Sequence, residues 1–477
     1  MGAIKHLVTV SGEIVLKSRR SRPRFYRRLT RNIEDALRRG GVNDFTVRVE
    51  GAKILVNAQG SVSDILRRVF GVYRVDEVVE IGFEDLSDLV RKVAETVRDC
   101  VRGKRFAVRV RRSGTHPFTS LDVERAVGAE LLPVSGGVDL RSPEVVVRVE
   151  VKGSKAFIVR RRVEGVSGLP LGVEGRALSL YSGGFDSPVA TWFVARRGVE
   201  THFLHFFLGD TRATCLATKS MKVFTERWLS GVEPRAFFVD LADVVAAIRK
   251  EVKAPYRQVV LRAAMLEVAD RIAARFGYDA LVTGEILGQA SSQTLLNLKA
   301  VEAVVNPGVP VFRPLLGMDK EEVIRKAEEL GTASISARVG EPCSIAEGWV
   351  VTKAKVRELE EEFRKLPEGL IDECVRSVKV VDVLHAGECD GLPDSSLTIN
   401  CVPEGSVLVD LRSPKASKEK PVEGAVRLED LGDLSNLKGK VVVLFCESGV
   451  RSYLMAKELR GKGVRAFSFE GGYESLR

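Results

Sequence analysis

One stretch near the middle of the chain limits what it can fold into: an apolar strand that runs directly into two glycines and a helix start. The stretch reads Leu178-Ser-Leu-Tyr-Ser-Gly-Gly-Phe-Asp-Ser-Pro188. Glycines permit a sharp turn with backbone N–H groups pointing inward, Asp186 or Ser187 could cap the next helix, and Pro188 suits its first turn. Such a turn at a helix N-terminus binds anions, above all phosphate. The stretch therefore predicts an α/β domain with a phosphate-binding loop.

Two adjacent glycines alone fit any tight strand-to-helix turn, but the hexapeptide from Ser182 to Ser187 is more specific. It lacks the Gly-Lys-Ser/Thr ending of the Walker loop, which disfavours ordinary γ-phosphate transfer. It resembles the pyrophosphate loop of ATP pyrophosphatases. Those enzymes cut ATP between the α and β phosphates and leave AMP on a substrate oxygen, so the resemblance implies that ATP is used here in the same way.

The residues after this loop predict a parallel sheet with alternating helices. A βαβ arrangement places its ligand at the carboxyl edge of the strands. Thr283-Gly284-Glu285 leaves the last predicted strand at that edge, and the polar residues 287–294 follow as a loop around a purine or ribose would. The predicted elements are a helix at 188–197, strands at 199–207, 235–241 and 280–282, and a long helix at about 256–276.

Positive charge is concentrated in the N-terminal third. Of a net charge of +10, residues 1–176 carry 34 Lys and Arg against 22 Asp and Glu, whereas the remaining residues carry 40 against 42. A charged run is often only a solvated face, but this asymmetry favours a polyanionic partner. One cluster surrounds Phe25 and Tyr26 and holds Lys17, Arg19, Arg20, Arg22, Arg24, Arg27, Arg28 and Arg31, and the other holds Arg102, Lys104, Arg105, Arg109, Arg111 and Arg112.

The same region predicts two small α+β modules. The first has a strand at 4–16, a basic helix at about 22–40 and two more strands. The loop at 111–120 offers cations, hydroxyl groups and an aromatic ring, which are groups that grip a sugar–phosphate backbone. The second module has helices at about 86–100 and 120–131 and strands at 105–111, 144–151 and 155–162.

A second anion-binding loop is predicted near the C-terminus. The buried strand at 441–445 runs into Cys446-Glu-Ser-Gly-Val-Arg451-Ser452, with a helix from about Tyr453. Inward N–H groups, the helix N-terminus and Arg451 would favour the thiolate of Cys446, although a lone cysteine is commonly a buried structural residue. Four residues separate Cys446 from Arg451, where Cys-dependent phosphatases have five, so the tighter loop suits sulfane sulfur. The module resembles a rhodanese domain.

The seven cysteines, at positions 100, 215, 343, 374, 389, 401 and 446, are scattered and never in CxxC spacing. We therefore expect neither a disulfide framework nor a zinc site, and we expect any cysteine chemistry to come from single thiols. The apolar runs are too short for a membrane span and the N-terminus lacks a signal-peptide layout, so a cytoplasmic location without membrane association is expected. Residues 386–396 read as a flexible linker.

Several longer stretches match one family. GEIVLKSRR, FGVYRV, RRSGTHPFTS and VDLRSPEVVVRVEV resemble the N-terminal and THUMP domains of tRNA 4-thiouridine synthetases, and GEILGQASSQTLLNL, FRPLLGMDKEEVI and GTASIS resemble their catalytic domain. The resemblance covers nearly the whole chain and implies an α/β multidomain protein. The implied domains are a ferredoxin-like domain at 1–75, a THUMP RNA-binding domain at 76–165, a Rossmann-like ATP-pyrophosphatase domain at 176–384 and a rhodanese-like sulfur-carrier domain at 397–477.

The resemblance also implies the reaction. ATP with Mg²⁺, and no tightly bound metal, would adenylate O4 of a tRNA uridine, uridine 8 in the family. A persulfide on Cys446, loaded by a cysteine desulfurase, would then supply sulfur to C4. Cys343, in Glu-Pro-Cys-Ser-Ile, stands where the family has its second functional cysteine, and its attack on the persulfide would leave a transient Cys343–Cys446 disulfide.

Site residues follow from the same match, and Asp186 is the expected catalytic member of the phosphate loop. Arg262 stands where many relatives have lysine, so its charge is kept. The ATP contacts are Leu180, Tyr181, Ser182, Gly183, Gly184, Asp186, Ser187, Arg262, Gly284 and Gln293; the persulfide loop is Cys446, Gly449, Arg451 and Ser452; the tRNA contacts are Lys17, Arg24, Arg28, Arg111, Arg112, His116, Phe118 and Thr119.

Other functions stay open at this stage. The chain could be a sulfur carrier for thiazole synthesis without tRNA activity, a non-enzymatic RNA-binding protein, or an ammonia-using ATP pyrophosphatase, although the last would leave Cys446 unexplained. The sequence does not decide whether thiamin synthesis is a second role, which desulfurase is the donor, whether the chain forms a homodimer, or whether sulfur leaves by direct persulfide attack or as free sulfide.

Overall fold

The chain forms two compact units, Met1–Leu171 and Gly172–Arg477. The computed structural model describes residues 3–339, 349–387, 389–392, 397–431, 437, 439–447, 449–470 and 472–476. Across this described part, no helix combines the length and the apolar character that a membrane crossing requires.

The first unit is built on one seven-stranded sheet in the order β2-β3-β1-β4-β7-β6-β5. All neighbours are antiparallel except β5 and β6, which run parallel. The long strand β4 pairs with β1 on one side and β7 on the other, so the two predicted α+β modules share a sheet. The strands are β1 Ala3–Val10, β2 Phe45–Glu50, β3 Lys53–Gln59, β4 Val72–Gly82, β5 Phe106–Ser113, β6 Val145–Lys152 and β7 Lys155–Glu164.

Amphipathic helices cover this sheet. In α2 the side chains of Phe25, Leu29, Ile33 and Leu37 are buried, which confirms the predicted basic helix with one apolar face. The predicted strand at 4–16 is wrong in its second half, because the chain leaves the sheet at Ser11, whose N–H bonds the Gly71 carbonyl, and turns into a short helix. The helices are α1 Gly12–Val15, α2 Arg22–Arg39, α3 Ser63–Leu66, α4 Leu86–Val101 and α5 Ser120–Leu131.

The second unit contains a six-stranded sheet in the order β12-β11-β8-β9-β10-β13. Its strands are parallel except β13, which runs antiparallel to β10. The predicted parallel sheet is therefore confirmed, and the loops after β8, β9 and β11 lie at one edge. The strands are β8 Arg176–Leu180, β9 Glu200–Phe207, β10 Arg235–Asp240, β11 Ala280–Val282, β12 Val311–Phe312 and β13 Lys379–Asp382.

Helices on both faces bury this sheet. Helix α9 has ten buried side chains, which include Val259, Ala263 and Ile272. Its apolar residues recur around the helix rather than in one stripe, as expected for a helix in a core. The helices are α6 Asp186–Ala195, α7 Thr211–Trp228, α8 Ala242–Glu251, α9 Arg257–Phe276, α10 Leu295–Val305, α11 Lys320–Leu330, α12 Ala333–Ser336, α13 Val356–Phe363 and α14 Leu370–Arg376.

The second unit also contains a five-stranded, all-parallel sheet in the order β14-β18-β17-β15-β16. The carboxyl ends of β15 and β17 lie side by side and carry Asp410 and, just beyond the strand, Cys446. The elements are β14 Thr398–Ile399, β15 Val407–Asp410, α15 Pro414–Glu419, β16 Ala425–Arg427, β17 Val441–Phe445, α16 Val450–Gly461, β18 Arg465–Phe469 and α17 Tyr473–Leu476, so the helix predicted from Tyr453 begins three residues earlier.

Candidate active site

The phosphate loop turns on Gly183. This residue has a φ of 84°, which L side chains rarely adopt, and a Cβ here would lie 2.8 Å from the Ala217 Cα on α7. The first glycine is therefore needed both for the turn and for the close approach of α7. Tyr181, just before it, continues the sheet by donating its N–H to the Leu204 carbonyl at 2.8 Å.

The helix after the loop starts without a side-chain cap. Its N-cap position is Phe185, so the expectation that Asp186 or Ser187 caps it is wrong. Ser187 instead turns its hydroxyl back to accept the Gly183 N–H at 3.3 Å, and the Ser182 hydroxyl accepts the Gly184 N–H at the same distance. Pro188 lies in the first turn as predicted. An uncapped helix N-terminus leaves its first N–H groups to bind an anion.

Two polar side chains from distant parts of the sequence hold Asp186. Lys320, the first residue of α11, places its Nζ 2.9 Å from Asp186 Oδ1, and Gln289 donates from Nε2 to Oδ2 at 3.2 Å. The Lys320 Nζ also lies 5.5 Å from the centre of the Phe185 ring. Neither partner was singled out from the sequence, although both stand in segments that resemble the family's catalytic domain. The loop therefore carries a cation beside its carboxylate.

Gly284 brings the end of β11 against the same loop. A Cβ at this position would lie 3.0 Å from the Asp186 carbonyl carbon and 3.1 Å from the Ser187 nitrogen. Because these are backbone atoms, a side chain here would force the strand end or the loop to shift by a few tenths of an ångström, which glycine avoids. The predicted nucleotide residues Asp186, Ser187 and Gly284 are thus brought together by the fold.

Arg262 on α9 uses its guanidinium to organise the polar loop after β11. It donates to Glu285 Oε1 and to the Ser292 hydroxyl, both at 2.9 Å. The Gln293 amide, with its oxygen towards Arg262, accepts from Nη2 at 2.9 Å and donates to the Ile286 carbonyl at 2.9 Å. Burial lowers the pKa of Arg262, and the Glu285 carboxylate opposes that shift. The cation therefore positions Gln293 and the loop around it.

A second arginine balances this cluster. Arg313 donates from Nε to Glu285 Oε2 at 2.6 Å and also pairs with Glu302, while the Thr283 hydroxyl donates to Glu285 Oε2 at 3.0 Å. Glu285 is thus held by two guanidinium groups and a hydroxyl. Burial by itself would lower the pKa of Arg313, but Glu285 and Glu302 raise it above its ordinary value. Two guanidinium groups and two carboxylates are paired in this cluster, so it holds no unbalanced buried charge.

The residues behind the loop form a buried hydrogen-bond chain. His205 on β9 bonds the Tyr181 carbonyl at 2.9 Å and the Thr214 hydroxyl at 3.0 Å, and the Tyr181 hydroxyl bonds Ser220 at 2.9 Å. Complete burial lowers the pKa of His205 to about 4, so the ring is neutral at physiological pH. Tyr181 is only 1% exposed and its N–H and carbonyl are bonded to Leu204 and His205, so its contact with the nucleotide stays a prediction.

Cys446 lies at the end of β17 in a tightly held loop. Its side chain is 3% exposed, and its Sγ lies 3.7 Å from the Ser452 hydroxyl, which donates to the Gly449 carbonyl at 2.9 Å. Gly449 has a φ of 89° and forms the N-cap of α16. The Arg451 side chain is exposed on the first turn of that helix. The predicted effect of Arg451 on the thiol therefore stays a prediction.

The backbone of Cys446 is fixed from the other side by Gly472 and Tyr473. The Tyr473 N–H donates to the Cys446 carbonyl at 2.8 Å, and a Cβ on Gly472 would lie 2.5 Å from that oxygen. Arg412, bound to Asp410 through Nη2 at 2.7 Å, stacks 3.9 Å from the Tyr473 ring centre. The Asp-x-Arg motif at the end of β15 thus supports the cysteine loop through Tyr473, a role that the sequence did not indicate.

Two cysteines that were expected to be single thiols are bonded to each other. Cys215 on α7 forms a disulfide with Cys389, 174 residues away. The expectation of no disulfide is therefore wrong, because spacing along the chain says little about residues this far apart. Cys389 also lies in the predicted flexible linker, so that part of the linker is anchored. Cys343 lies outside the described residues, and Cys100, Cys374, Cys401 and Cys446 are free.

The predicted tRNA contacts on α2 and just before it divide into exposed and internal ones. Arg24 is exposed, and Lys17 is half-buried with its Nζ 4.8 Å from the centre of the buried Phe25 ring. Arg28 donates from Nε to the Leu171 carbonyl at 2.6 Å and ties the helix to the end of the unit. Arg24 is therefore the most exposed of the three, Arg28 is held by a backbone carbonyl, and the contact of these residues with tRNA stays a prediction.

The end of β5 and the loop after it show the same division. Arg111 is exposed, while Arg112 donates to the Gly114 carbonyl at 2.8 Å and bonds His116 at 3.0 Å. Against expectation, Phe118 is only 6% exposed and packs in the core, and the Thr119 side chain caps α5 in a capping box with Asp122. The aromatic ring and the hydroxyl thus shape the loop, and their contact with tRNA stays a prediction.

The two loops together define a class of protein. A phosphate loop of the ATP-pyrophosphatase type and a cysteine loop at the edge of a rhodanese-like sheet lie in one unit, so this is an ATP-using protein of sulfur transfer. Family models match residues 6–75 (ThiI ferredoxin-like domain), 82–159 (THUMP domain), 172–367 (Thiamine biosynthesis protein, ThiI) and 400–477 (Rhodanese-like domain).

Relatives that match nearly the whole chain are described as tRNA sulfurtransferases. A tRNA sulfurtransferase of Desulfurococcus amylolyticus is 46% identical, with 99% of this chain and 98% of the relative covered. A tRNA sulfurtransferase of Escherichia coli O157:H7 is 33% identical, with 97% and 98% covered. A solved 4-thiouridine synthetase in complex with RNA and bound ATP is 29% identical with a TM-score of 0.71, and the match covers 80% of this chain and 99% of that one. The chain belongs to the tRNA sulfurtransferase family.

Proposed function

We propose that this protein uses ATP to convert a tRNA uridine into 4-thiouridine, with sulfur carried as a persulfide on Cys446. The observation that carries the proposal is the presence of both loops in one unit: an uncapped helix N-terminus with Asp186 and Lys320 for the triphosphate, and a shielded thiol at the end of β17 for sulfur. ATP use alone would not need the shielded thiol, and sulfur transfer alone would not need the phosphate loop. The solved relative that contains RNA and ATP supports the same pairing of substrates.

In the activation step, the loop N–H groups and Lys320 would stabilise the negative charge that builds up on departing pyrophosphate. The uridine O4 attacks the α-phosphorus, pyrophosphate leaves, and the resulting adenylate makes AMP the leaving group at C4. Preorganised donors of this kind usually supply the largest share of a rate enhancement. The neutral His205 behind Tyr181 fixes the strand end from which the loop starts.

The donors at the loop fit Mg²⁺ as a partner of the bound triphosphate. Mg²⁺ in nucleotide sites takes one or two carboxylates plus substrate phosphates, and Asp186 supplies one carboxylate within the loop. When bound, the ion neutralises phosphate charge. Lys320 pairs with Asp186 in the described structure, and its flexible side chain would bring the ammonium group to a phosphate of the bound nucleotide.

For sulfur delivery, a cysteine desulfurase is proposed to load Cys446, and Cys343 is proposed to attack the persulfide. The Cys343 thiolate would bond to the Cys446 sulfur, the terminal sulfur would leave as sulfide to attack C4, and a Cys343–Cys446 disulfide would remain for a dithiol to reduce. Peptide mapping after one turnover without reductant should detect this cross-link. Finding none, or finding it equally before turnover, would reject this step.

Near-ultraviolet absorbance of thiouridine in tRNA tests the activity directly. With ATP, Mg²⁺ and a persulfide donor, Cys446→Ser should form no product, whereas free sulfide should restore it because the activation step does not need Cys446. Cys401→Ser, which changes an exposed free cysteine of the same sheet domain, is the matched control and should behave as wild type. Product formation by Cys446→Ser with the persulfide donor would reject the proposed sulfur route.

tRNA binding is assigned to the first unit. Arg24→Gln and Arg111→Gln should weaken tRNA binding and reduce its dependence on salt, because each removes one exposed cation from the counterion exchange. Thr119→Ser keeps the α5 cap and serves as the control. A binding constant that does not change with salt would contradict an electrostatic interface.

A second function, sulfur supply for thiazole synthesis, is favoured by the family model that matches residues 172–367 and is described as a thiamine biosynthesis protein. This route would need Cys446 but not the ATP loop. Asp186→Asn should therefore keep thiazole sulfur supply while losing thiouridine formation. Loss of both activities in that variant would argue against a separate carrier role.

A further inference from the structure

A pair of arginines lies on the face of the seven-stranded sheet that is opposite its helices. Val108 of β5 and Val147 of β6 are buried in the core with α4 and α5. Because side chains alternate along a strand, Arg109 and Arg148 lie on the other face. The register of the two parallel strands places Arg109 directly beside Arg148. Like charges opposite each other in a sheet are destabilising, so stability alone does not account for this pair.

Two further arginines and one carboxylate adjoin the pair. Arg162 of β7 donates to Asp76 Oδ1 at 2.6 Å and to Oδ2 at 3.1 Å, and Arg74 of β4 donates to the same Oδ2 at 3.3 Å. Burial lowers the pKa of Arg148, the three neighbouring arginines lower it further, and Asp76 opposes the shift. Among the described residues, Asp76 is the only carboxylate that pairs with any of the four. The arginine cluster consists of Arg74, Arg109, Arg148 and Arg162.

Other cations on the same face have carboxylate partners of their own. The Lys5 Nζ lies 2.5 Å from one Glu80 oxygen, and the Lys155 Nζ lies 2.7 Å from the other. Lys53 pairs with Glu150 in the same way. The face is therefore close to neutral on that side, and its surplus of positive charge is concentrated at the arginine cluster.

Arg148 is the member of the cluster that lacks a partner. Its side chain is half-buried, and within the described part of the chain it forms no hydrogen bond and no ion pair. Arg109 is exposed and donates to the neutral carbonyls of Val108 and Leu140, at 3.1 and 2.9 Å. A guanidinium group stays charged in proteins and presents a planar fork of donors that fits phosphate oxygens. The cluster thus offers both charge and donors to an anion.

The positive charge continues along β5 to a predicted tRNA contact. Arg111 is two residues beyond Arg109, so it lies on the same face, and it is exposed. A chain of phosphates running across β5 and β6 would meet Arg111, Arg109 and Arg148. Most contacts between proteins and nucleic acids are made to phosphate and sugar, and they position the partner without reading its bases. This continuity favours an RNA backbone over a single small anion.

We propose that the arginine cluster is a binding site for a phosphate group of RNA, with Arg148 and Arg109 as the direct donors. Asp76 would hold Arg74 and Arg162 beside them. This inference rests on the proposed function, because it takes tRNA as the RNA. A bound phosphate relieves the repulsion between the paired arginines and accepts charge-assisted hydrogen bonds from both. The arrangement therefore lowers stability in the free protein and becomes favourable when RNA binds.

Binding of labelled tRNA to the full-length protein, measured at several salt concentrations, tests the site. Arg148→Gln should weaken binding by about tenfold, because a charge-assisted hydrogen bond is lost. The slope of log affinity against log salt should become shallower by about 1. Arg148→Lys keeps the charge without the fork, so it should keep the slope and lose part of the affinity. Arg91→Gln, at an exposed arginine of α4 that pairs with Asp88 and Glu95, is the matched control and should bind as wild type.

Thermal unfolding of the same variants separates a binding site from a structural role. Since Arg148 faces like charges without a partner, Arg148→Gln should unfold at the wild-type temperature or slightly above it. A lower unfolding temperature together with unchanged tRNA affinity would overturn the proposal. If Arg148→Gln fails to fold, Arg109→Gln, at an exposed position, gives the same comparison of affinity and slope.

Inorganic phosphate at constant ionic strength tests the other source of the ligand. If it stabilises wild type but not Arg148→Gln, while both bind tRNA equally, the cluster takes a free anion and its assignment to RNA is wrong. Failure of wild type to bind tRNA would contradict the proposed function. Wild-type binding that Arg148→Gln and Arg109→Gln leave unchanged would contradict this site alone, so the two failures are distinguishable.

Discussion

The phosphate loop and the cysteine loop use the same backbone arrangement for opposite purposes. Each follows a strand of a parallel sheet, turns at a glycine with positive φ and leads into a helix N-terminus. At the phosphate loop, charged and polar side chains converge on Asp186 from α11 and from the loop after β11. At the cysteine loop, Cys446 is shielded by backbone and by the hydroxyl of Ser452.

The two loops share an anion-binding backbone and differ in the side chains around it. Inward N–H groups and a helix N-terminus favour any anion, whether phosphate or thiolate. The neighbours then differ: a cation and a carboxylate at the phosphate loop suit a polyanionic substrate, whereas Cys446 in the other loop is only 3% exposed. Substitutions at the two loops should therefore separate activation from sulfur transfer.

The largest expected effect comes from Asp186→Asn. The change removes the charge that pairs with Lys320 and leaves no carboxylate for Mg²⁺ in the loop, so AMP formation in the presence of tRNA should fall by about a hundredfold or more. Alkylation of Cys446 should be unchanged. Glu321→Gln, on the exposed first turn of the same helix as Lys320, is the control. Wild-type AMP formation by Asp186→Asn would contradict the assignment of this loop to ATP activation.

Gly472→Ala should impair sulfur transfer and leave ATP activation intact. The added Cβ would lie 2.5 Å from the Cys446 carbonyl and 2.8 Å from the Gly449 nitrogen, at a φ of 65°, so the cysteine loop has to move. Sulfur transfer from a persulfide donor should fall by about tenfold or more while AMP formation persists. Gly463→Ala matches the positive φ, at 81°, but meets no atom within 4 Å, and it should show only the backbone strain. Equal losses in the two variants would show that the close contact is unimportant.

Local pattern explains why most elements were predictable. The helix expected at about 86–100 is α4 Leu86–Val101, and the predicted glycine turn follows β8. The strand expected to continue to residue 16 ends early: the Ser11 N–H bonds the Gly71 carbonyl, and Gly12–Val15 forms a short helix. That bond joins residues far apart in sequence and leaves no local signal.

The same limit applies to the site. Asp186 was found from its neighbours in sequence, but its partners Lys320 and Gln289 are 134 and 103 residues away, and only the parallel sheet brings them together. Cys215 and Cys389 are further apart still, at 174 residues. Spacing rules for cysteines describe local clusters, so they could not have paired these two.

A pH experiment probes the support behind the phosphate loop. Burial lowers the pKa of His205 to about 4, whereas the unfolded chain binds a proton near 6.5. The neutral ring therefore costs no stability above about pH 6.5, and stability is lost as pH falls from there towards 4, by roughly 3 kcal/mol in all. His205→Gln should flatten that part of the pH–stability curve, while His385→Gln, at an exposed position, should not. An unchanged curve for His205→Gln would contradict a buried neutral histidine.

The smallest effect is expected from Ser452→Ala. Its hydroxyl lies 3.7 Å from the Cys446 sulfur, donates to the Gly449 carbonyl at 2.9 Å and contacts the Ser468 hydroxyl at 2.8 Å, so it links the thiol, the turn and β18. Loss of one such bond is worth about 1 kcal/mol, which corresponds to roughly a two- to tenfold change in the rate of persulfide transfer. Ser468→Ala removes only the more distant hydroxyl and should have less effect. If Ser468→Ala and Ser452→Ala slow persulfide transfer equally, the two hydroxyl groups act together and the contact with the Cys446 sulfur has no effect of its own. If only Ser452→Ala slows transfer, and AMP formation stays intact, the shielding of the cysteine loop contributes to sulfur transfer.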